Sequence, residues 1–313
     1  MKGLFFLSWL TLSQCYSSIR YFQSFIKTFN KSYSSDHEYD MRYQIFYHNV
    51  KYIERHNLQN KSWTLDINEW TDLTWNEFKQ RNKKGYIRKT PLILESNYNL
   101  IYDSNKSLDW RLHGVVNPIK NQNQCGSCWA FSAISSIESA YAISYNTLYD
   151  LSEQQLVDCS DAYGNEGCNG GLMDDAFTYA EKNRICLESD YNYIGEKDTC
   201  RKCKGFVSVK SFQDIPLNQE KMLFDAVSIQ PVSVAIEADQ LDFQFYKSGI
   251  FDGICGDNLD HGVVIVGYGI DKNVPFWIVR NSWGSSWGEN GYIRIVRNKN
   301  KCGINLSASF PIV

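Results

Sequence analysis

The stretch that most restricts the fold begins at residue 124 and reads QCGSCWAFS. Cys125 and Cys128 stand three positions apart, and no glycine or proline occurs from Ser127 to Leu148. The apolar residues of one helical stripe there are Ala130, Ile134, Ile137 and Tyr141. We therefore predict a buried helix that has Ser127 as its N-cap and carries Cys128 in its first turn.

Two cysteines at this spacing have three interpretations: a redox dithiol, half of a zinc site, or a structural cysteine beside a reactive thiol. Zinc would also need Cys200 and Cys203, but more than 70 residues separate the two pairs, which is too far for a zinc ribbon. A thioredoxin-like dithiol follows a strand in a cytosolic protein, whereas this pair follows the polar loop KNQNQ. The pattern favours the third interpretation.

The first 17 residues have the layout of a secretory signal peptide. Lys2 precedes an apolar run from Leu4 to Leu12, and small and polar residues follow near Ser17. A buried helix is the alternative, but the run is short and uncapped. Export would bring the chain into an oxidising secretory pathway, and from there to a lysosome, an acidic vacuole or the cell exterior.

The cysteine count is odd once such a signal is removed. Ten cysteines are present, and Cys15 would leave with the signal. Nine cannot all form disulfides, so at least one thiol stays free. Cys128 is the candidate, because N–H groups at a helix N-terminus stabilise a thiolate.

The N-terminal third is helical in pattern. Residues 36 to 57 carry one apolar stripe, and Ser35 with Glu38 forms a capping-box signature at its start. A short strand pattern, SWTLDINEW, follows, and Thr74 with Glu77 caps a second helix. We predict a helical unit here.

The remaining chain changes character twice. Residues 82 to 106 lose periodicity, which predicts an exposed linker that is open to cleavage. Beyond Asp109, the segments LSEQQLVDC and LMDDAFTYAEK indicate further helices. The C-terminal third contains VSVAIEA, GVVIVGYGI, FWIVRNSWG and YIRIVRN, which are typical of strands. We predict an α+β protein with two lobes and a cleft between them.

Composition narrows the function classes. The 313 residues are 43% apolar and carry a net charge of -3, as expected of a globular chain. No run of like charges indicates nucleic-acid binding, and no later apolar stretch approaches the roughly 20 residues that span a bilayer. We expect a monomer with neither a nucleic-acid partner nor a membrane span.

A reactive thiol needs a base, and the chain offers two histidines beyond the linker. His113 lies in the polar segment RLHGVV and is predicted to be at the surface. His261 opens the apolar strand LDHGVVIVGYG, where it is either the base or a satisfied core residue. Asn281, which ends a strand among Trp283 and Trp287, favours the base, because its amide oxygen can fix the imidazole tautomer.

CGSCWAFS, LDHGVVIVGYG and NSWGSSWGENGY together resemble the papain family of cysteine proteases, in particular its cathepsin L-like members. His261 and Asn281 follow Cys128 by 133 and 153 residues. The family's ERFNIN propeptide motif is filled by Glu38, Arg42, Phe46, Asn49, Ile53 and Asn57. In the GxNxFxD motif that follows, Asp66 and Trp70 replace the glycine and the phenylalanine.

This resemblance implies a preproenzyme: a signal peptide over residues 1–17, an inhibitory propeptide over 18–106 and a peptidase domain over 107–313. The expected fold is two-lobed, with a helical left domain, a β-barrel-like right domain and an α-helical prodomain. The propeptide is the implied intramolecular inhibitor, removed by acid or by another protease between Asn99 and Leu108. Protein and peptide substrates and cystatin-like inhibitors are the implied partners.

The same resemblance assigns the chemistry. Cys128 is the implied nucleophile, held as a thiolate beside a protonated His261, while Asn281 orients the imidazole. Gln122 is the implied oxyanion-hole side chain, which acts with the backbone N–H of Cys128. No cofactor or metal is expected.

Disulfides and substrate contacts also follow from the resemblance. Three pairs are family disulfides, and a fourth is bridged in some protozoan relatives; in that order they are Cys125–Cys168, Cys159–Cys200, Cys255–Cys302 and Cys186–Cys203. The implied substrate groove comprises Gly170, Gly171, Leu172, Met173, Ala235, Leu259, Gly262, Trp283 and Ser307. Ser307, rather than an acid, at the pocket base implies Leu, Phe or Val two residues before the cut.

With two histidines after the linker, the chain lacks the paired histidines of an exopeptidase occluding loop. We expect an endopeptidase. The rival from another class is a non-catalytic inhibitor or binding protein that retains a protease scaffold.

Overall fold

A computed structural model describes residues 18–82, 85–87 and 107–313. The expected signal peptide and most of the linker lie outside the described residues. The α-helices are α1 (18–28), α2 (Asp36–Asn57), α3 (Trp75–Asn82), α4 (Cys128–Tyr145), α5 (Glu153–Cys159), α6 (Met173–Lys182), α7 (Glu220–Ile229) and α8 (Leu241–Gln244).

The strands alternate with these helices and dominate the second half of the chain. They are β1 (Trp63–Leu65), β2 (Leu108–Asp109), β3 (Ile185–Cys186), β4 (Gly205–Val207), β5 (Ser211–Ile215), β6 (Val232–Ile236), β7 (Tyr246–Phe251), β8 (His261–Asp271), β9 (Val274–Arg280), β10 (Tyr292–Val296) and β11 (Ala308–Ile312). Helix and sheet thus coexist, and the α+β prediction is confirmed.

The long helix α2 has the predicted bounds, with one difference at its cap. The Ser35 side chain accepts the Glu38 N–H at 3.2 Å. The Glu38 carboxylate, however, accepts the backbone N–H of Ser34 at 2.7 Å instead of that of Ser35. The Glu38 carboxylate therefore accepts a backbone N–H that lies one residue further from the helix than in a regular capping box.

Contacts between side chains join the N-terminal helices into one unit. Phe22 of α1 is fully buried against Phe46 of α2, with ring centroids 5.1 Å apart. Arg42 of α2 bonds the carboxylate of Glu77 in α3 at 2.9 Å. Glu77 also accepts the Thr74 N–H at 2.8 Å, so the predicted capping box forms there.

The main sheet has the order β1-β7-β10-β9-β8-β6-β11-β5, and β2 also pairs with β8. Among the described residues no pairing joins β1 to β5, so this lobe is an open sheet instead of a closed barrel. The edge strand β1 belongs to the N-terminal unit and pairs antiparallel with β7. The N-terminal unit is therefore joined to the sheet through backbone pairing.

Two apolar cores flank the helix α4. One core gathers the sheet side chains with Trp63, Trp70 and Phe78 of the N-terminal unit. The other packs α4 against α6. The α4 helix is buried on nearly every face instead of along a single stripe, because it lies between α6 and β8. Its first residue therefore lies at the junction of the two lobes.

Hydropathy gives one further result. Along the described ranges, which omit 1–17, 83–84 and 88–106, no helix combines the length and the apolar character that a bilayer crossing requires.

Candidate active site

Cys128 is the first residue of α4, and it is fully buried. It is the free cysteine of the described residues. Ser127 precedes it, but its side chain makes no cap bond, because its hydroxyl lies 2.6 Å from the Tyr193 hydroxyl. Ser127 is thus the N-cap residue, as predicted, but without a side-chain cap bond, and the first N–H groups of α4 remain available to the sulfur.

The sulfur of Cys128 meets the start of β8, where the Gly262 N–H donates to it at 3.2 Å. Burial has the largest effect on this thiol and raises its pKa to about 12, and the charge of Asp260 acts in the same direction. The N–H groups of Gly262 and Trp129 oppose that rise. In this form of the protein Cys128 is therefore a neutral thiol at pH 7.

His261 opens β8, and its Nε2 lies 2.7 Å from the Asn281 amide oxygen. An amide oxygen only accepts, so Nε2 carries the hydrogen and Nδ1 keeps its lone pair. The same oxygen accepts the Ser282 N–H at 2.8 Å, which fixes the orientation of the amide. The structure thus brings Asn281 to His261.

The zymogen does not favour the charge state that is expected of this pair in the active enzyme. His261 is almost fully buried, and that burial lowers the pKa of its imidazole to about 4, although the bond to Asn281 acts in the opposite direction. Both His261 and Cys128 therefore favour their neutral forms here. The thiolate–imidazolium pair expected from the resemblance is not the state that this covered environment stabilises.

Aromatic rings shield the imidazole. The ring of Trp283 lies 4.7 Å from that of His261. Trp70 and Phe78, from the N-terminal unit, pack edge-on against Trp283 at 4.9 and 5.6 Å. Trp70, which replaces the phenylalanine of the family motif, therefore helps to cover the residue that flanks the candidate base.

Gln122 lies in the loop before α4, and both the nitrogen and the oxygen of its side-chain amide are hydrogen-bonded. Its Nε2 donates to the Cys125 carbonyl at 2.9 Å, and its Oε1 accepts from the Ser282 hydroxyl at 2.7 Å. Its backbone N–H also donates to the Ser282 carbonyl at 2.8 Å. Gln122 is therefore bonded directly to the residue that follows Asn281.

The expected groove residues gather around the segment 85–87. Tyr86 belongs to one buried cluster with Leu172, Met173, Ala235 and Leu259. The Tyr86 hydroxyl lies 2.7 Å from the Ser307 hydroxyl.

The backbone of this segment is held as well, since the Ile87 N–H donates to the Gly171 carbonyl at 3.2 Å. A Cβ on Gly171 would meet Asn165 at 2.3 Å and Trp129 at 2.7 Å, so only glycine fits this wall. Of the other expected glycines, Gly170 has a φ of 118°, and a Cβ on Gly262 would lie 3.2 Å from the Met173 sulfur.

Four disulfides are present: Cys125–Cys168, Cys159–Cys200, Cys186–Cys203 and Cys255–Cys302. Cys125 is thus bonded to Cys168 and is not paired with Cys128. Since Cys200 and Cys203 are also oxidised, neither CxxC pair is available as a dithiol or as a zinc site.

Three contacts of this region were not expected from the sequence. The first is the contact of Tyr86 with Ser307, because Tyr86 lies within the segment that was predicted to be an exposed linker. The only signal for it in the sequence was the apolar pair Tyr86 and Ile87 among lysines. Ser282 and Tyr193 bond Gln122 and Ser127 from distant parts of the chain, and a single sequence carries no signal for such pairs.

Comparison with known proteins assigns this architecture. Residues 104–312 match the family of papain family cysteine proteases, and residues 22–78 match the cathepsin propeptide inhibitor domain. Cysteine protease XCP2 of Arabidopsis thaliana is 45% identical over 306 residues, which cover 94% of this chain and 86% of that protein. The oryzain beta chain of Oryza sativa is 46% identical over 88% of this chain and 62% of its own length.

Solved proforms have the same architecture. Digestive procathepsin L 3 of Tenebrio molitor superposes with a TM-score of 0.87 at 39% identity, covering 95% of this chain and 99% of that one. The recombinant stem bromelain precursor gives a TM-score of 0.87 at 37% identity, over 95% of this chain and 99% of the precursor. The chain belongs to the papain family of cysteine proteases and is made as a zymogen with an inhibitory propeptide.

Proposed function

We propose that this protein is the zymogen of a cysteine endopeptidase in which Cys128 is the nucleophile, His261 the acid and base, and Asn281 the positioning residue. The observation that carries the proposal is the 2.7 Å bond from His261 Nε2 to Asn281, beside a free thiol bonded by the neighbouring Gly262 N–H. That bond leaves Nδ1 of His261 as the nitrogen for proton transfer.

The reaction proceeds in two halves. Cys128 Sγ attacks the peptide carbonyl carbon and forms a tetrahedral oxyanion, after which the C–N bond breaks while His261 protonates the leaving amine. Water then attacks the thioester as His261 takes its proton. The C–S bond breaks, and the acid product leaves with the thiol restored.

The nucleophile becomes a thiolate only after the covering segment leaves. Burial is the largest cause of both the raised thiol pKa and the lowered imidazole pKa in the zymogen. Access of water to the cleft reduces this desolvation and allows the ion pair to form. The first N–H groups of α4, which no serine cap occupies, then stabilise the sulfur anion.

Gln122 completes the oxyanion hole together with the backbone N–H of Cys128. One Nε2 hydrogen is used on the Cys125 carbonyl, and the amide has a second one for the oxyanion. Such a donor contributes about 100- to 1000-fold in turnover.

The pocket for the residue two before the cut is apolar with a polar base. Tyr86 supports this assignment, because it is buried with Leu172, Met173 and Leu259 while its hydroxyl contacts Ser307. We expect Leu, Phe or Val there, and also Tyr. Trp283, once freed of Trp70, forms the wall on the side of the leaving group.

The proposed maturation removes a signal over residues 1–17 and a propeptide over 18–106, which leaves a monomeric peptidase over 107–313. Cleavage falls between Asn99 and Leu108. Four disulfides support passage through an oxidising compartment, with a lysosome, an acidic vacuole or the cell exterior as destination. Proteins and peptides are the substrates, and cystatin-like proteins are candidate inhibitors.

The test is hydrolysis of a peptidyl coumarin amide by the acid-treated zymogen, combined with epoxide labelling of the thiol. Cys128→Ala should remove turnover and the label, and His261→Ala should remove turnover. His113→Ala is the matched control, since His113 is exposed and contacts Trp110 instead of the site. Full turnover by Cys128→Ala would refute the proposal, and a wild type with neither turnover nor label would favour the non-catalytic scaffold.

A further inference from the structure

Three acidic residues lie beside His261: Glu237, Asp239 and Asp260, here called the acidic cluster. Ile236 at the end of β6 pairs with His261 at the start of β8. The Asp260 N–H donates to the Ile236 carbonyl at 3.0 Å, and the Asp260 carboxylate accepts the Ala238 N–H at 2.8 Å. The register of the sheet therefore holds the cluster next to the candidate base.

A lysine of the N-terminal unit occupies this cluster. Lys79 in α3 lies with its ammonium 2.5 Å from the Asp239 carboxylate. Trp75, one helical turn earlier, donates its indole N–H to the Asp239 carbonyl at 2.7 Å. The positive charge that contacts the cluster thus comes from the part of the chain that maturation removes.

The cluster stays short of positive charge even with Lys79 in place. Among the described residues, the ion pair of Asp239 with Lys79 is the only one that its three acids make. Asp260 is 6% exposed, and its Oδ2 has no hydrogen-bond partner among those residues. Burial raises the pKa of Asp260 to about 8, and Asp239 and Glu237 add to the rise while Lys79 opposes it.

The cluster is also rigid. The Glu237 carboxylate accepts the N–H groups of Gly256 and Asn258, each at 2.8 Å. The Gln240 amide bridges Glu237 at 2.9 Å and Asp239 at 2.8 Å. These bonds hold the carboxylates in place without supplying a positive charge, so the geometry for a cation persists after Lys79 departs.

The cluster lies within reach of a bound substrate. The three helical residues from Lys79 to Asn82 rise about 4.5 Å. The four residues on to Tyr86 extend by at most about 14 Å. The Cα atoms of Lys79 and Tyr86 are thus no more than about 19 Å apart, which is the span of an extended peptide of six or seven residues.

Chemistry decides which end of the substrate meets the cluster. Tyr86 occupies the pocket proposed for the residue two before the cut. His261 protonates the leaving amine, so the residues after the cut depart along the wall that carries His261. Asp260 directly precedes His261 on that wall.

We propose that the acidic cluster of the mature enzyme selects substrates with a lysine or arginine within three residues after the cut, and that Lys79 imitates this side chain in the zymogen. The inference rests on the proposed endopeptidase function. Asp239 is the main contact, because it is the acid that bonds Lys79. Glu237 lies beside Asp239 and disfavours acidic substrates.

The experiment uses the full chain, activated by acid and counted by epoxide titration. Quenched peptides that are identical before the cut carry Lys, Gln or Glu at one of the three following positions. At one or more of these positions, the wild-type kcat/KM should be about 10-fold higher with Lys than with Glu. Asp239→Asn, which keeps the shape, should reduce this ratio to about 2-fold, and Glu237→Gln should reduce it partly.

Asp190→Asn is the control, since Asp190 is an exposed acid outside the cluster and the change removes the same charge. It should keep the wild-type ratio. Efficient cleavage of all peptides with no preference for Lys at any of the three positions would overturn the inference and leave the endopeptidase intact. An unchanged ratio in Asp239→Asn would overturn it as well. No cleavage of any peptide by titrated wild-type enzyme would instead sink the proposed function and this inference with it.

Discussion

The hydroxyl of Tyr86 lies 2.7 Å from that of Ser307, and Tyr86 belongs to a buried apolar cluster that also contains Leu172, Met173 and Leu259. Tyr86 belongs to the segment that precedes the peptidase part of the chain, and the neighbouring Ile87 N–H bonds the Gly171 carbonyl. Under the proposed function, a side chain and a backbone group of the zymogen thus fill positions where a substrate would bind. Inhibition by the propeptide would then be occupation of the groove by the chain itself.

Ser307→Ala should change selectivity for the residue two before the cut. In the wild type, Tyr at this position gains a hydrogen bond to Ser307 that Phe cannot make, and a bond of this kind contributes about 1 kcal/mol. The ratio of kcat/KM for Tyr over Phe peptides should fall about 3- to 10-fold in Ser307→Ala. Phe peptides report any general damage to the pocket, and an unchanged ratio would contradict the assignment.

Cys128 should be almost unreactive in the zymogen at neutral pH. Burial raises its thiol pKa to about 12, so the thiolate forms only as the pH rises toward that value. Reaction with dipyridyl disulfide should be slow at pH 7 and accelerate up to the alkaline limit of the fold. After maturation the thiol should react rapidly at pH 7. Equal rates for the zymogen and the mature enzyme would exclude burial as the cause of the low reactivity of Cys128.

Asn281→Ala should lower kcat/KM about 100-fold, because the imidazole loses the acceptor that orients it. The bond to Asn281 raises the pKa of His261, so its loss lowers that pKa. The protonated imidazole is then lost at lower pH, and the alkaline limb of the pH profile should move toward acid. Asn192→Ala, the control at an exposed residue, should leave kcat/KM and the alkaline limb of the pH profile unchanged. A lower rate with an unmoved limb would indicate a structural role only.

Trp70→Ala should destabilise the packing of the N-terminal unit against Trp283. Trp70 is 4% exposed and packs edge-on against Trp283. Its truncation costs about 3 to 5 kcal/mol. In the inactive Cys128→Ala background, the thermal midpoint of the zymogen should fall, while Trp70→Phe should keep most of the stability. A midpoint equal to that of the parent protein would show that this contact does not stabilise the zymogen.

Loss of the disulfide between Cys186 and Cys203 should destabilise the helical lobe. The bond closes a loop with a sequence separation of 17 residues, for which chain entropy predicts about 3 kcal/mol. The double change to serine, again in Cys128→Ala, should lower the thermal midpoint by about 5 to 10 °C. Calorimetry checks this value, and an unaltered midpoint would mean that other contacts hold the loop.

Local patterns in the sequence sufficed for the helices α2 to α6 and for the choice of candidate site residues. The apolar stripe and Ser35 placed α2 within its observed bounds, because capping and amphipathic spacing act within a few residues. An odd cysteine count made Cys128 the candidate free thiol, which it is among the described residues.

Tertiary structure decided what depends on distant parts of the chain. The hydroxyl of Ser127, the N-cap residue of α4, bonds Tyr193 instead of a helix N–H, and Glu38 bonds Ser34, since each side chain takes the partner that folding brings near. The sheet is open among the described residues, and Tyr86 reaches the pocket proposed for the substrate from a segment without periodicity.

The charge state of the site is the clearest case. The sequence by itself determined which residues are proposed to carry the chemistry, because a thiol, an imidazole and an amide have fixed donor and acceptor capacities. It also indicated the expected thiolate and imidazolium. Only the tertiary structure decided that both groups are buried and neutral in the zymogen, because desolvation depends on every residue that excludes water around them.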